Sequence, residues 1–340
     1  MTKILDVKNL SVSFPTEDGL VRASNEITFS VSAGETLAIV GESGSGKSVS
    51  NLAVMGLHNP ARTNIDGSAV LATDNGPVDV ISADSEIVRR LRGKTMSMIF
   101  QDPMSALHPF FSIGQQISEA WALYNDGSKE DGIKRAVEML EMVGIPDPEL
   151  RVNDYPHQFS GGMRQRAMIA MALVNNPSLL IADEPTTALD VTVQSQIMNL
   201  LKEIQKKNNM AIILITHDLG VVAEVADRIC VMYAGSIVEE GTVDEIFYQP
   251  SHPYTLGLLN SIPKISGSSS HRLHAIPGQP PSLIQLPNGC SFKARCEYFK
   301  KVSGERCSHE VPAAHDLGKG HKVRCHLDSS DIQNLVKDKA

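Results

Sequence analysis

The sequence is short of long apolar stretches. Hydrophobic runs such as AIILI at 211–215 are the length of a strand, whereas a membrane-spanning helix needs about 20 apolar residues. The N-terminal segment MTKILDVKNL also has neither the apolar core nor the cleavage site of a signal peptide. These absences predict a soluble, intracellular protein that meets a membrane only through a partner.

Basic charge and aromatic side chains are also scarce. Lysine and arginine number 31 against 39 aspartates and glutamates, and aromatic residues make up 5% of the chain. This balance argues against a nucleic-acid-binding surface spread over the whole protein, although a local basic pocket is compatible with it. The 340 residues, 42% of them hydrophobic, suit two domains or one large domain with an appendage.

Cysteines are few and unevenly placed. Cys230 stands alone in RICVMY, a predicted buried strand, and the other four follow a C-x5-C-x10-C-x17-C pattern: Cys290, Cys296, Cys307 and Cys325. The same segment contains His309, His315, His321 and His326. In a chain without an export signal, clustered cysteines favour metal ligands over disulfides. Four thiolates suit zinc or an iron–sulfur cluster, and the long, uneven gaps match neither zinc ribbons nor bacterial ferredoxins.

Apolar strand patterns alternate with helical ones through the middle of the chain. The predicted strands are 179–183, 211–215 and 229–233, and the predicted helices are 164–176, 191–207 and about 219–226. Alternation of this kind predicts an α/β fold with a mostly parallel sheet covered on both faces.

The remaining segments carry weaker signals. Residues 3–40 are predicted to form short strands, and the pattern from 112 to 145 is helical. Within it, Ser128 and Asp131 form a capping-box pair, and Gly144 is a plausible stop signal. SGSSS at 266–270 is typical of a linker.

The stretch GESGSGKS has the phosphate-loop pattern G-x-x-x-x-G-K-[ST]. Gly41, Gly46, Lys47 and Ser48 occupy its fixed positions, after a predicted strand and before a predicted helix. Glycines let successive backbone N–H groups turn inward around phosphate oxygens, and the helix N-terminus adds positive potential. Lys47 is expected to reach the β- and γ-phosphates, and the Ser48 hydroxyl to ligate Mg²⁺.

Two further stretches distinguish among phosphate-binding proteins. LLIADE at 179–184 is an apolar strand ending in two carboxylates, so Asp183 is expected to hold the Mg²⁺ shell and Glu184 to orient or deprotonate water. FSGGMRQR at 159–166 opens a helix with Ser160 as a natural N-cap, which makes a second anion site. Two such sites are explained if two chains face each other head-to-tail and each contributes one to the same nucleotide.

These motifs, with QDP at 101–103, LLIADEPTTALD and ITHD at 215–218, resemble the nucleotide-binding subunit of an ATP-binding-cassette (ABC) transporter. The resemblance covers roughly residues 3–260. It implies a P-loop ATPase core with a mostly parallel sheet, an N-terminal antiparallel β subdomain, a helical subdomain at about 101–165, and a small cysteine-rich C-terminal extension. The implied domains are an ATP-binding domain at 1–260 and the extension at 261–340.

The resemblance also implies a set of site residues. ATP would be bound by Gly41, Ser43, Gly44, Gly46, Lys47, Ser48 and Phe14, and from the opposed subunit by Ser160, Gly161, Gly162 and Asp190. The Mg²⁺ residues would be Ser48, Gln101 and Asp183, and the catalytic residues Glu184, His217 and Gln101. The sequence departs from the family's commonest signature at Phe159 and Met163, neither of which removes the serine or the glycines.

Further motifs resemble the dipeptide/oligopeptide importer branch, specifically its cysteine-tailed ATPase subunit: QDPMSALHPF, YPHQFSGGMRQR, SHPYTLGLL and IPGQPPSL. The implied partners are a homologous second ATPase in a head-to-tail heterodimer, two membrane permeases and an extracytoplasmic peptide-binding protein, and nucleic acid is not expected. The implied location is the cytoplasmic face of the membrane. Members of this branch carry a 4Fe–4S cluster on such a tail, which favours iron, while zinc and a tail without any metal stay open as alternatives. The ten-residue gap from Cys296 to Cys307 is longer than their usual pattern.

Other functions remain open from the sequence. An importer of nickel or another small solute is a close alternative, because an ATPase subunit does not touch the cargo. A soluble ABC-type ATPase acting on DNA or ribosomes is a second alternative, although such proteins typically carry long coiled-coil insertions or two cassettes per chain. A small-molecule P-loop kinase is a third, but it has no use for the SGG and ITHD motifs.

Overall fold

The computed structural model describes residues 2–187, 189–261, 276–318, 320–328 and 331. The predicted linker at 266–270 lies outside these residues. The described chain divides into two compact units, each assembled from several sequence segments. The first unit contains the described residues of 1–6, 30–36 and 70–215, and the second those of 7–29, 37–69 and 216–340.

Strands and helices alternate along the chain. The strands are β1 (Lys3–Thr16), β2 (Gly19–Ser32), β3 (Thr36–Val40), β4 (Asn64–Leu71), β5 (Val78–Asp79), β6 (Met96–Ile99), β7 (Leu179–Asp183), β8 (Ala211–Thr216), β9 (Arg228–Tyr233), β10 (Ser236–Thr242), β11 (His315–Asp316) and β12 (Lys322–Val323). The α-helices are α1 (Lys47–Val54), α2 (Ser85–Leu91), α3 (Pro103–Ala106), α4 (Ile113–Ala122), α5 (Lys129–Met142), α6 (Pro148–Arg151), α7 (Gly161–Leu173), α8 (Val191–Asn208), α9 (Leu219–Val225), α10 (Val243–Tyr248), α11 (Pro253–Asn260) and α12 (Arg306–His309).

Parallel strands form the sheet of the first unit. β7 lies between β6 and β8, with Leu179 opposite Met96 on one side and Ala211 on the other. Every residue of β7 is buried. Strands covered on both faces are continuous apolar runs, which is why LLIAD and AIILI predicted them correctly. The predicted α/β alternation is confirmed.

The helical pattern at 112–145 forms two helices, the second of which begins after the predicted cap, Ser128. α4 and α5 are separated by the segment YNDG at 124–127, whose Asn, Asp and Gly favour a turn. The predicted capping box is confirmed: the Ser128 Oγ accepts from the Asp131 N–H at 3.2 Å, and the Asp131 carboxylate accepts from the Ser128 N–H at 2.9 Å. Gly144 ends the helix with a left-handed φ of +72°, as predicted.

The second unit is built on a mixed sheet. β9 runs parallel to β3 and antiparallel to β10, and β12 pairs antiparallel with both β10 and β11. β1 and β2 are neighbours joined by a two-residue turn, so they are antiparallel. The prediction of short strands at 3–40 is confirmed for β3, which has five residues, and is wrong for β1 and β2, which have 14 each. Asn9, at φ +50°, interrupts the alternation without ending β1, since its N–H donates to the Thr28 hydroxyl at 2.9 Å.

Residues of the cysteine-rich segment pack on the core of the second unit. The Phe292 ring lies 5.2 Å from that of Tyr233 and 5.5 Å from that of Tyr254, measured between centroids. The His321 Nε2 donates to the buried Glu239 carboxylate at 2.8 Å. Burial would lower the pKa of His321, but the hydrogen bond and charge of Glu239 raise it overall. The predicted domain boundary at 260/261 adjoins residues outside the described chain and stays a prediction.

Candidate nucleotide-binding site

The loop between β3 and α1 needs glycine at two positions for steric reasons. Gly46 has φ +100°, and a Cβ there would lie 2.0 Å from the Ala23 carbonyl oxygen. A Cβ on Gly41 would lie 2.1 Å from the Met232 carbonyl oxygen. Both contacts are with backbone, which cannot move aside as a flexible side chain can. The glycines therefore allow the loop to close tightly against its neighbours and leave its N–H groups unobstructed by side chains.

The Lys47 ammonium is folded back over this loop. Its Nζ donates to the Gly41 carbonyl at 2.8 Å and to the Glu42 carbonyl at 2.9 Å, and the side chain is buried. The loop thus holds the cation near its own N–H groups, where phosphate oxygens would be bound. Ser43 and Gly44 are exposed at the tip, and Ser48 is half-buried in the first turn of α1.

Two acids end strand β7 in the first unit. Asp183 is its last residue and is buried. Glu184 follows with a left-handed φ of +45°, and its N–H donates to the Ile215 carbonyl at 2.9 Å. A left-handed backbone is strained for a residue other than glycine, and such strain clusters at functional sites. The strand therefore ends in a defined geometry rather than in a solvated turn.

The Glu184 carboxylate is oriented by two neighbours. The Gln101 amide donates to its Oε2 at 2.7 Å, and the Thr187 hydroxyl donates to the same atom at 2.9 Å. The two donors fix the direction of the carboxylate, and a carboxylate in its ionised form is able to accept a proton from water. Gln101 and Glu184, predicted separately to be catalytic, are in direct contact.

The second predicted anion site opens helix α7. The Ser160 Oγ accepts from the Met163 N–H at 3.3 Å as the N-cap. Gly161 is exposed, and among the described residues a Cβ added to it would meet only Leu189, at 4.0 Å. Phe159, which replaces the family's commoner leucine, is buried. This difference from the family's commoner sequence therefore affects core packing and leaves the N-terminus of α7 accessible.

Three further residues predicted to contact the nucleotide are Phe14, Asp190 and His217. Phe14 is half-buried, with its ring edge-on to His58 at a centroid distance of 5.4 Å. Asp190 caps helix α8 by accepting from the Val193 N–H at 3.0 Å. His217 is exposed just after β8. The roles of these residues, and of the other predicted site residues, stay predictions.

The four clustered cysteines converge on one cavity in the second unit. Cys290, Cys296, Cys307, Cys325 and His326 all line it, together with apolar side chains. The His326 Nε2 donates to the Glu310 carbonyl at 2.8 Å, and its buried Nδ1 has no hydrogen-bond partner among the described residues. Burial raises the pKa of Cys325 to about 12 and that of Cys296 to about 11. Among the described residues, however, no three His, Cys, Asp or Glu side chains form a group that could hold a metal ion.

Sequence reasoning missed four residues around these sites: Thr187, Glu42, Tyr254 and Arg295. Thr187 lies inside the quoted LLIADEPTTALD stretch, so its position could have suggested it. Glu42 lies inside the phosphate-loop pattern, at a position where the pattern accepts any residue. Tyr254 and Arg295 are more than 200 residues from Glu42 in sequence. Only the tertiary structure brings them to it.

Within the part of the chain that the structure describes, no helix is both long and apolar enough to cross a membrane.

Two sequence families match the chain. The family described as "ABC transporter" matches residues 24–187, and the "Oligopeptide/dipeptide transporter, C-terminal region" matches residues 238–302. The oligopeptide transport ATP-binding protein OppD of Bacillus subtilis (strain 168) is 54% identical over 90% of this chain and 85% of its own length. The dipeptide transport ATP-binding protein DppD of the same organism is 48% identical over 99% of this chain and 98% of its own.

Solved structures share the fold. The ATP-binding cassette MJ0796, a dimer in a post-hydrolysis state bound to ADP and Pi, is 28% identical with a TM-score of 0.62, covering 70% of this chain and 98% of its own. The cassette cbiO1 of Clostridium perfringens is 31% identical with a TM-score of 0.61, covering 73% and 92%. Taken with the phosphate loop and the paired acids, these matches confirm the predicted fold. The chain belongs to the ABC transporter ATPases, in the branch of the oligopeptide and dipeptide transport ATP-binding proteins.

Proposed function

We propose that this chain hydrolyses ATP to drive the import of dipeptides or oligopeptides through a membrane complex. The observation that carries the proposal is the likeness to peptide-transport ATP-binding proteins over nearly the full chain, including the C-terminal region at 238–302. The names of these relatives favour peptides over nickel or another small solute. We place the chain on the cytoplasmic face of the membrane, held there by its partners.

Each motif has a defined part in hydrolysis. The amides of the loop at 41–46 and the Lys47 ammonium bind the phosphates, and Ser48, Asp183 and Gln101 serve the Mg²⁺ ion and its water shell. Mg²⁺, when bound, neutralises charge that develops on the phosphates. The Glu184 carboxylate accepts the proton of the attacking water, and Gln101 orients that carboxylate through its 2.7 Å bond. His217 is assigned to the γ-phosphate.

A second cassette completes the site in this proposal. The capped tip of α7, formed by Ser160, Gly161 and Gly162, offers backbone N–H groups to a nucleotide held by the opposed subunit. The exposure of Gly161 and the free space around it support such a role. A related cassette, MJ0796, is described as a dimer bound to ADP and Pi. We assign the opposed position to a homologous ATPase arranged head-to-tail, with Asp190 at the seam.

Exposed apolar side chains suggest where a permease docks. Four of them lie close to Gln101 in sequence, in α3 and on either side of it: Phe100, Met104, Phe110 and Phe111. The Phe110 side chain is 82% exposed. Clustered exposed aromatic residues are typical of protein–protein contacts. Since Gln101 also contacts Glu184, docking here would connect the partner directly to the catalytic carboxylate.

The function is tested by purifying the full chain from solubilised membranes. We expect two permeases to co-purify with it, and Phe110→Asp to reduce their yield at least about tenfold, because a charge would replace an apolar anchor. ATP binding by the variant should be unchanged.

Tyr248→Asp is the matched control, since Tyr248 is 75% exposed and lies in the second unit, outside this patch. Recovery of DNA or ribosomes in place of permeases would reject the proposal in favour of a soluble ABC-type ATPase.

We further propose that the cysteine-lined cavity holds a 4Fe–4S cluster, with zinc as the alternative. The support is the donor set: four thiols and the unpartnered Nδ1 of His326 face one cavity with an apolar lining. Soft sulfur donors suit either metal. These side chains line a common cavity, but in the described part of the chain no three of them lie close enough together to ligate one metal ion. The metal assignment therefore depends on the donor chemistry.

Metal analysis of the full chain, purified without oxygen, tests this assignment. Iron and sulfide in equal amounts, about four of each per chain, are expected for a cluster, and one zinc for the alternative. Cys325→Ala should lose the metal because it removes a ligand, whereas Cys230→Ala should keep it, because Cys230 lies on β9 away from the cavity lining. Metal-free protein would reject both forms of the proposal.

A further inference from the structure

A carboxylate lies inside the phosphate-binding loop. Glu42 directly follows Gly41, and its charge has the same sign as the phosphates that the loop is built to hold. An acid at such a place weakens binding of a polyanion unless a cation neutralises it. Whether a cation neutralises the Glu42 carboxylate therefore affects nucleotide binding.

Arg295 forms a bidentate ion pair with this carboxylate. Its Nη1 donates to the Glu42 Oε2 at 2.8 Å, and its Nη2 donates to the Oε1 at 3.0 Å. The Arg295 side chain is only 5% exposed, and that of Glu42 is 28% exposed. A planar, two-pronged pair fixes direction as well as charge. The carboxylate is held in a single orientation.

The guanidinium is itself held in place by residues outside the loop. Its Nε donates to the Pro277 carbonyl at 3.0 Å. The guanidinium carbon lies 5.8 Å from the centre of the Tyr233 ring, within range of a cation–π interaction. Arg295 is therefore oriented before it meets Glu42, and the pair costs little additional side-chain entropy.

The backbone of Glu42 is held as firmly as its side chain. Its N–H donates to the Tyr254 hydroxyl at 2.9 Å, and Tyr254 is fully buried. Its carbonyl accepts from the Lys47 Nζ at 2.9 Å. Displacement of Glu42 would thus disturb the lysine that is expected to bind the phosphates.

We infer that Arg295, contributed by the cysteine-rich segment, is a positioning residue for ATP binding: it neutralises Glu42 and holds it where it supports Lys47. The inference deepens the proposed function, since it rests on the assignment of the loop at 41–48 to the nucleotide. It links the C-terminal segment to the phosphate site through one buried ion pair.

Equilibrium binding of ATP to the full chain tests the inference, measured by calorimetry in EDTA so that hydrolysis is stopped. Arg295→Gln is expected to raise the Kd for ATP at least about tenfold, because a partly buried carboxylate is left unpaired beside the phosphate loop. Adding Glu42→Gln to that variant is expected to return the Kd to within about threefold of the parent, since the unpaired charge is then gone.

This rescue separates positioning from a structural role. If Arg295 only stabilised the fold, a second change at Glu42 would not restore affinity, and that result would overturn the inference. Parent-like affinity in Arg295→Gln would overturn it as well. Arg306→Gln is the matched control, because Arg306 lies in the same segment but makes an exposed pair with Glu310. Its affinity for ATP should be unchanged.

Two further variants keep the result interpretable. Lys47→Ala tests whether the loop at 41–48 binds the nucleotide. Parent-like ATP binding in this variant would reject that assignment. If Lys47→Ala loses ATP binding while Arg295→Gln keeps it, only the inference about Arg295 is rejected. If thermal unfolding shows that Arg295→Gln is not folded, Arg295→Lys takes its place, because lysine keeps the charge but cannot form the bidentate pair. A Kd raised about threefold and relieved by Glu42→Gln is then expected, and an unchanged Kd would overturn the inference.

Discussion

Glu184→Gln is expected to lower ATP turnover by about 10²–10³-fold while leaving ATP binding intact. The amide has the size of the carboxylate but cannot accept a proton from the attacking water, and removal of a general base typically costs this much. Since the structure holds the Glu184 side chain between Gln101 and Thr187, the replacement should disturb little else. Turnover is measured as phosphate release by the assembled complex. The nucleotide retained by the variant should be ATP rather than ADP, in a closed cassette pair.

The matched control is Glu149→Gln, an exposed glutamate in the same unit, in helix α6. It should hydrolyse ATP at the parent rate. Unchanged turnover in Glu184→Gln would exclude this residue as the base and would reassign the strained, left-handed backbone after β7 to a structural role.

The second large effect is expected at Gly161. Gly161→Ala should reduce turnover of the assembled complex by about 10²-fold, because a methyl group would obstruct the tip of α7 where it approaches the opposed nucleotide. The isolated chain should bind ATP as the parent does. In the part of the chain that the structure describes, the added Cβ meets only Leu189, at 4.0 Å, and alanine is a better helix former than glycine. A loss of activity therefore cannot be ascribed to a damaged fold.

Lys129→Ala is the control at the equivalent place in another helix. Lys129 is the first residue of α5 after its cap Ser128, as Gly161 is the first residue of α7 after Ser160. This control should leave turnover unchanged. Equal loss of binding and hydrolysis in isolated Gly161→Ala would contradict a shared site, since the helix tip would then serve the chain's own nucleotide.

Sequence patterns predicted an element correctly where its structure depends on residues that are neighbours along the chain. β7 was predicted to the residue because a strand buried on both faces must be a continuous apolar run. The capping box at Ser128 and the stop at Gly144 also depend only on neighbouring residues. The lengths of β1 and β2 were predicted wrongly, because no local pattern encodes the hydrogen bond that the Asn9 N–H donates to the Thr28 hydroxyl of β2. Within the helical pattern at 112–145, the capping box marked where α5 begins.

The sequence by itself determined the family, the phosphate loop and the acids that follow β7, because each is a short motif whose chemistry depends on residues adjacent along the chain. Only the tertiary structure decided how those residues are held. The contacts of Arg295 and Tyr254 with Glu42 join residues more than 200 positions apart, and the cysteine cavity gathers side chains from four separated positions. The physical reason is that hydrogen bonds and ion pairs depend on distance in space, and no local pattern encodes which distant segments the folded core will bring together.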